Sequence, residues 1–160
     1  MREKSQNGIG GAAQIQILLA TYNSSRFLRE QLDSILAQDC RKFELLIRDG
    51  GSTDDTLEII SEYKRKHPDI IQFLGSGPAT ALENFSSLLA ASSASLIMFS
   101  DHDDIWKPDK VRITMEKYRE LEAEYGNGTP IMVFTDSEVV DDELNPISLS
   151  MLRYQNINTR

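Results

Sequence analysis

At 160 residues, with 40% hydrophobic and 26% charged side chains, the chain is long enough to bury a real core and has the make-up of one ordinary globular domain. Its formal charge of −8 excludes a general nucleic-acid binder, which needs a basic face, while leaving room for a local basic pocket around a nucleotide. The single cysteine, Cys40, excludes a disulfide framework and a cysteine-rich metal site, and no apolar run approaches the ~18 residues of a membrane-spanning helix.

The start, Met1 to Gly11, is polar and glycine-rich with no signal-peptide core, and residues 1–13 read as a flexible tail of a cytoplasmic protein. From residue 14 to 160 a single domain is expected, in which strands and helices alternate. Ile15 to Ala20 has strand length and ends at Thr21-Tyr22-Asn23-Ser24-Ser25, where Asn23 or Ser24 is placed to cap a helix. Leu28, Leu32, Ile35 and Leu36 then fall on one helical face. Phe43 to Ile47 is a second strand, closing on the glycine turn Arg48-Asp49-Gly50-Gly51-Ser52. Ser52 and Asp55 have capping-box spacing for a helix carrying Leu57, Ile60 and Tyr63, which His67-Pro68 stops.

A third strand, Ile70 to Leu74, leads through Gly75-Ser76-Gly77-Pro78 into a helix with Leu82, Phe85, Leu88 and Leu89 on one side. Ser95 to Ser100 reads as a buried strand that empties into Asp101-His102-Asp103-Asp104-Ile105-Trp106. Pro108 suits a first helical turn, and Val111, Met115, Tyr118 and Tyr125 share a face of the helix that Gly126 ends. Ile131 to Thr135 is expected to form a further strand, and Asp141 to Pro146 a solvated hairpin turn. The alternation predicts an α/β fold with a mainly parallel sheet flanked by helices.

In such folds ligands bind outside the carboxyl ends of the strands. Three strand ends here carry unusual polar groups: Thr21-Tyr22-Asn23, Asp49-Gly50-Gly51-Ser52 and Asp101-His102-Asp103. Carboxylates crowded at a strand end repel one another, and a Mg²⁺ or Mn²⁺ ion shared with a phosphate-bearing ligand is one reason to gather them; a solvated helix-capping turn is the other. Brought to one cleft, these groups suit a nucleoside diphosphate. An EF-hand is excluded, because Asp101 to Arg112 lacks the central glycine and terminal glutamate of that loop. A nucleotidyltransferase would want a glycine-rich basic loop after the first strand, which Thr21 to Ser25 does not supply.

Ala20-Thr21-Tyr22-Asn23, Arg48-Asp49-Gly50-Gly51-Ser52-Thr53-Asp54 and Ser100-Asp101-His102-Asp103-Asp104-Ile105-Trp106, in that order, resemble family 2 glycosyltransferases, the last block especially the rhamnosyltransferase-like branch. The resemblance runs from Gln14 to about Asp142 and implies a Rossmann-like, nucleotide-sugar-binding fold of the GT-A type. It implies inverting transfer of a sugar from a dTDP- or UDP-linked donor to the hydroxyl of a saccharide or lipid-linked acceptor, in bacterial surface polysaccharide synthesis. Asp101-His102-Asp103 matches the family's Asp-x-Asp motif, so Asp101 and Asp103 are the implied metal ligands, Asp103 the more direct. Thr21, Tyr22 and Asn23 match positions near the nucleoside, Asp49 lies in the turn that contacts the base, and His102 is the variable middle position.

Two departures matter. Gly50 stands where the family usually carries a second aspartate, the one most often tied to the base. The family's general base lies downstream of the acidic motif, in an acceptor-binding half, and none of Asp136, Glu138, Asp141 or Asp142 falls in that segment. The chain therefore reads as a donor-binding portion, truncated before the acceptor half, with the catalytic base unassigned. The alternative is a nucleotide- or partner-binding module without transfer activity. Membrane association would be peripheral, and apolar surface left open is expected to favour self-association.

Overall fold

The computed structural model describes residues 15–157, and the predicted tail lies outside them. The chain divides into two compact units, Met1–Lys110 and Val111–Arg160.

The first unit is built on strands β1 (Ile15–Thr21), β2 (Phe43–Asp49), β3 (Ile71–Ser76) and β4 (Leu96–Ser100), alternating with helices α1 (Leu28–Leu36), α2 (Thr56–Lys66) and α3 (Ala81–Ala91). The sheet is parallel throughout, in the order β3-β2-β1-β4. The chain thus walks outward from β1 to β3, then returns past β1 to lay down β4 on its other side. Right-handed crossovers place α1 and α2 on one face and, because the direction of travel reverses, α3 on the other. The core matches: Leu18, Ala20 and Leu46 pack with Leu88 of α3, flanked by Leu74 and Phe85. On the alternate register Ile17, Leu19, Leu45 and Ile47 are fully buried, as are Leu28, Leu32, Ile35 and Ile60 of α1 and α2. Each such side chain contributes roughly 1.5–3 kcal/mol of transfer free energy. The central strand β1 has no exposed residue, as a strand covered on both faces requires.

The helix ends differ from the reading of the sequence. Neither Asn23 nor Ser24 caps α1, whose N-cap, Phe27, makes no side-chain bond; a turn on the Ser24 carbonyl leads in instead. The Ser52–Asp55 box does not form, because Ser52 turns back to Asp49 and Asp54 accepts from Thr56 at the start of α2. A reciprocal capping box does form at α3, between Thr80 and Glu83. That helix is rotated from the expected face: Asn84 and Leu88 are buried, while Leu82 and Leu89 are exposed.

The second unit takes up α4 (Lys110–Tyr125) from Val111 and carries a hairpin of β5 (Val139–Val140) and β6 (Pro146–Ser148), and the short α5 (Met151–Tyr154). Pro108 lies in the turn before α4 rather than inside it, and Tyr125 is exposed. Gly126, at φ +84°, ends the helix as expected. The hairpin turn at Asp141 forms, its carboxylate accepting from the backbone N–H groups of Glu143 and Asn145. The expected strand from Ile131 to Thr135 does not form: its apolar alternation is present, but no described strand pairs with it, and an extended segment without ladder bonds is not a strand. Asp136 accepts from the backbone N–H groups of Ser137 and Leu152, bracing the start of α5. Among the described residues no helix is long and apolar enough to cross a membrane.

Candidate functional site

Register brings the three polar strand ends together. Thr21 lies opposite Asp49, and Leu19 lies opposite Ser100, so β1, β2 and β4 deliver their terminal loops to one edge of the sheet. Between β1 and β4 the strand order reverses, which opens the crevice where open α/β sheets take ligands.

Much of the polar chemistry there is spent on holding the loops. Asp49 is fully buried. Its Oδ1 accepts from the hydroxyls of Thr21 (2.9 Å) and Ser52 (2.5 Å), and its Oδ2 accepts from the Gly51 and Ser52 N–H groups and the Ser76 hydroxyl. Burial pushes this carboxyl up, but the hydroxyls of Ser52 and Ser76, the Ser52 amide and the Thr21 hydroxyl together outweigh it and hold the group below its ordinary value. Thr21 is buried with it. Together they weld the end of β1 to the turn after β2.

Asn23, in the left-handed region at φ 46°, accepts from the Thr53 N–H through Oδ1 and donates its own N–H to Ser52 Oγ. Asp54 accepts from the Ser25 and Thr56 N–H groups and the Thr56 hydroxyl. Those bonds overcome the effect of burial and hold its carboxyl far below the usual range. Tyr22, at 56% exposed, and Asn23 are both open to solvent. A further pair lies where α3 meets the sheet end: Arg48 Nη1 donates to Asn84 Oδ1.

The acidic loop is held differently. Asp101 and Asp103 are exposed and His102 is half-buried. Their backbone is anchored by a polar stripe on α1 and the turn beyond it. Gln31, fully buried, donates from Nε2 to Ser100 Oγ (2.5 Å) and the Asp101 carbonyl (3.0 Å), and its Oε1 accepts from Ser34. Ser34 Oγ accepts from the Trp106 N–H, Gln38 Nε2 donates to the Lys107 carbonyl, and the Asp39 N–H donates to the Pro108 carbonyl. Trp106 is buried beneath the loop, with the Lys110 ammonium 5.0 Å from its ring centre. Partial desolvation, then the charges of Asp101 and Asp103, raise the Asp104 carboxyl above its ordinary value although part of the residue meets solvent.

That charge crowding is a fit for a divalent cation. Among the described residues no three acidic, imidazole or thiol side chains converge as a cage. Two exposed carboxylates at a strand end instead match the manner in which Mg²⁺ is held, through one or two carboxylates with the remaining positions left to water and substrate phosphate.

Sequence reasoning passed over Gln31, Ser34, Gln38 and Asn84. For Gln31, Ser34 and Asn84 the signal was present as polar residues inside helices that also carry an apolar face; Gln38 lies just beyond the end of α1.

The family model for glycosyl transferase family 2 matches residues 16–156. The chain belongs to this family. A stretch of 105 residues is 30% identical to an uncharacterized glycosyltransferase of Nostoc, covering 66% of this chain and 33% of that protein. A stretch of 99 residues is 38% identical to the dTDP-rhamnosyl transferase RfbG of Shigella flexneri, covering 59% of this chain and 34% of that one. The chain thus spans about a third of the length of these curated relatives. Among solved structures, the mannosyltransferase PcManGT of Pyrobaculum calidifontis, in complex with GDP-Man and Mn²⁺, superposes with a TM-score of 0.59 at 24% identity, over 65% of this chain and 32% of that one. The S. aureus protein TarS, residues 1–349 with UDP, superposes with a TM-score of 0.54 at 23% identity, over 88% of this chain and 44% of that one. Those two likenesses show the fold, a parallel sheet flanked by helices of the GT-A type.

Proposed function

We propose that the strand-end crevice of the first unit binds a nucleoside-diphosphate sugar, and that the chain serves transfer of that sugar to an acceptor hydroxyl with inversion. The observation that carries this reading is the pair Asp101 and Asp103, exposed at the reversal of strand order and fixed from below by Gln31. Family membership, the dTDP-rhamnosyl activity in the name of one relative and the nucleotide sugars bound by structural neighbours support it.

In this reading Asp101 and Asp103 would hold a Mg²⁺ or Mn²⁺ ion, which when bound would supply positive charge to offset that developing on a leaving diphosphate. The chain's own residues supply position. The Thr21–Asp49–Ser52–Ser76 network keeps the nucleoside end of the crevice from collapsing, and Tyr22 offers an open aromatic face to the ligand. Asp49, enclosed and fully bonded, shapes the base site rather than touching the base. Donor binding is the role assigned to residues 14–160; no residue of this chain is assigned as general base, and the acceptor in this reading is a saccharide or lipid-linked saccharide of a surface polysaccharide.

Calorimetric titration of UDP and dTDP tests the reading, with Mn²⁺ and with chelator, beside an Asp103→Ala variant. Binding that requires both the metal and Asp103 is expected. Failure of both nucleotides to bind the folded wild type would leave a partner-binding module without a donor site.

A further inference from the structure

Gly50 and Asn84 share one small volume. A Cβ built on Gly50 would lie 2.8 Å from Asn84 Nδ2, 3.1 Å from the Ala79 carbonyl oxygen and 3.4 Å from that of Thr21. The first distance is shorter than real Cβ contacts allow, so the Asn84 carboxamide occupies the space that a side chain at position 50 would need. It enters from α3 while Gly50 sits at the end of β2, and the Gly50 backbone is fixed on both sides: its N–H donates to the Thr21 carbonyl and its carbonyl accepts from Ala79 N–H.

The amide has a defined direction. Arg48 Nη1 donates to Asn84, which makes the bonded atom Oδ1 and turns Nδ2 toward Gly50. Asn84 is 2% exposed, and Nδ2 has no hydrogen-bond partner among the described residues. No wholly buried side-chain polar atom there lacks a partner, so Nδ2 is an atom by which this enclosed side chain still reaches the surface. With no protein acceptor, that N–H is left to water or to a ligand at this opening. It lies against Gly50, just past the end of β2, where the Ala79 and Thr21 carbonyls also approach.

We propose that Asn84 sets base specificity, its Nδ2–H donating to O4 of a uracil or thymine ring, the keto oxygen that cytosine replaces with an amine. This rests on the donor-site reading above and goes beyond it by naming the residue and the base edge. The donor enters from α3 because the turn after β2 ends in a glycine, which has no side chain to offer. A site that presents a hydrogen-bond donor rejects a ring that presents an amine there, since two donors then face each other. Uridine and thymidine diphosphates are therefore accepted, and cytidine diphosphate is disfavoured.

The test is calorimetric titration of UDP, CDP and inorganic pyrophosphate, each with Mn²⁺, into wild type, Asn84→Asp and Gly50→Ala. Asn84→Asp keeps the oxygen that Arg48 needs and exchanges the donor for an acceptor. The UDP-to-CDP affinity ratio is expected to fall about tenfold or more in this variant, with pyrophosphate affinity unchanged. Gly50→Ala displaces the carboxamide without altering its chemistry and is expected to weaken UDP in the same way; it decides the matter if Asn84→Asp does not fold. An unchanged UDP-to-CDP ratio in both variants, alongside loss of binding in Asp103→Ala, overturns the role of Asn84 and leaves the donor site standing. Absence of nucleotide binding in the wild type overturns both.

Discussion

Asp49 shows how a buried carboxylate can be both indispensable and unavailable. Every donor around it is local or one strand away, and removing its charge leaves the Thr21, Ser52 and Ser76 hydroxyls and two backbone N–H groups competing for one amide oxygen. Asp49→Asn is expected to cost about 2–4 kcal/mol in urea denaturation, since buried donors left unpaired forfeit roughly 1–3 kcal/mol each. The effect carries a pH signature. Because the folded-state value lies below the ordinary 3.8, the contribution is fully present above that pH and is lost as pH falls through the folded value. The gap between wild type and variant should therefore stay constant from pH 7 to 5 and narrow only below pH 4; a gap that closes near neutrality would contradict the assignment. Thr21 and Asp49 were legible in the sequence as polar strand ends. Their mutual bond was not, because it depends on a strand register joining residues 28 apart, which no local pattern encodes.

The elements themselves were legible where period and punctuation agreed. The four parallel strands, the stop at His67-Pro68 and the hairpin at Asp141 follow from apolar runs, proline and turn residues. Periodicity failed where it had to name a neighbour. It could not say which side of α3 meets the sheet, nor that Ile131 to Thr135 has no strand to pair with. The polar stripe of α1 is the most consequential case. Read alone, Gln31 spoils an amphipathic helix; in the fold it is the strut under the acidic loop. Gln31→Leu matches its bulk but leaves the Ser100 hydroxyl without its donor and the Asp101 carbonyl with only the Ser100 hydroxyl bonded to it. Supporting residues of metal sites are commonly worth about 10–100-fold in affinity, and a loss of that order is expected in Mn²⁺-dependent UDP binding. A merely structural residue would lower the melting temperature and leave the affinity of the still-folded protein intact, so the two readouts measured together separate the roles.

At the scale of the whole molecule, charge and apolar exposure oppose each other. β4 is the last strand of its sheet, bonded on one side to β1, and it presents Ile97 and Phe99, 37% and 54% exposed. An apolar edge strand is a template for pairing with another chain, and Leu96–Ser100 contains neither lysine nor proline. What restrains pairing is the net charge of −8, because two copies repel at long range. That repulsion is screened by salt, with a Debye length of about 10 Å at 0.1 M and 3 Å at 1 M, whereas apolar contact is not weakened by it. Sedimentation velocity at fixed protein concentration should therefore show a monomer at low ionic strength and growing self-association as sodium chloride is raised. Phe99→Lys, which puts a charge on the edge, should hold the monomer at every salt concentration. A wild type that stays monomeric throughout would mean that the edge is too short or too twisted to pair; association unchanged by Phe99→Lys would place the contact on another apolar surface, such as that of Met132 and Phe134.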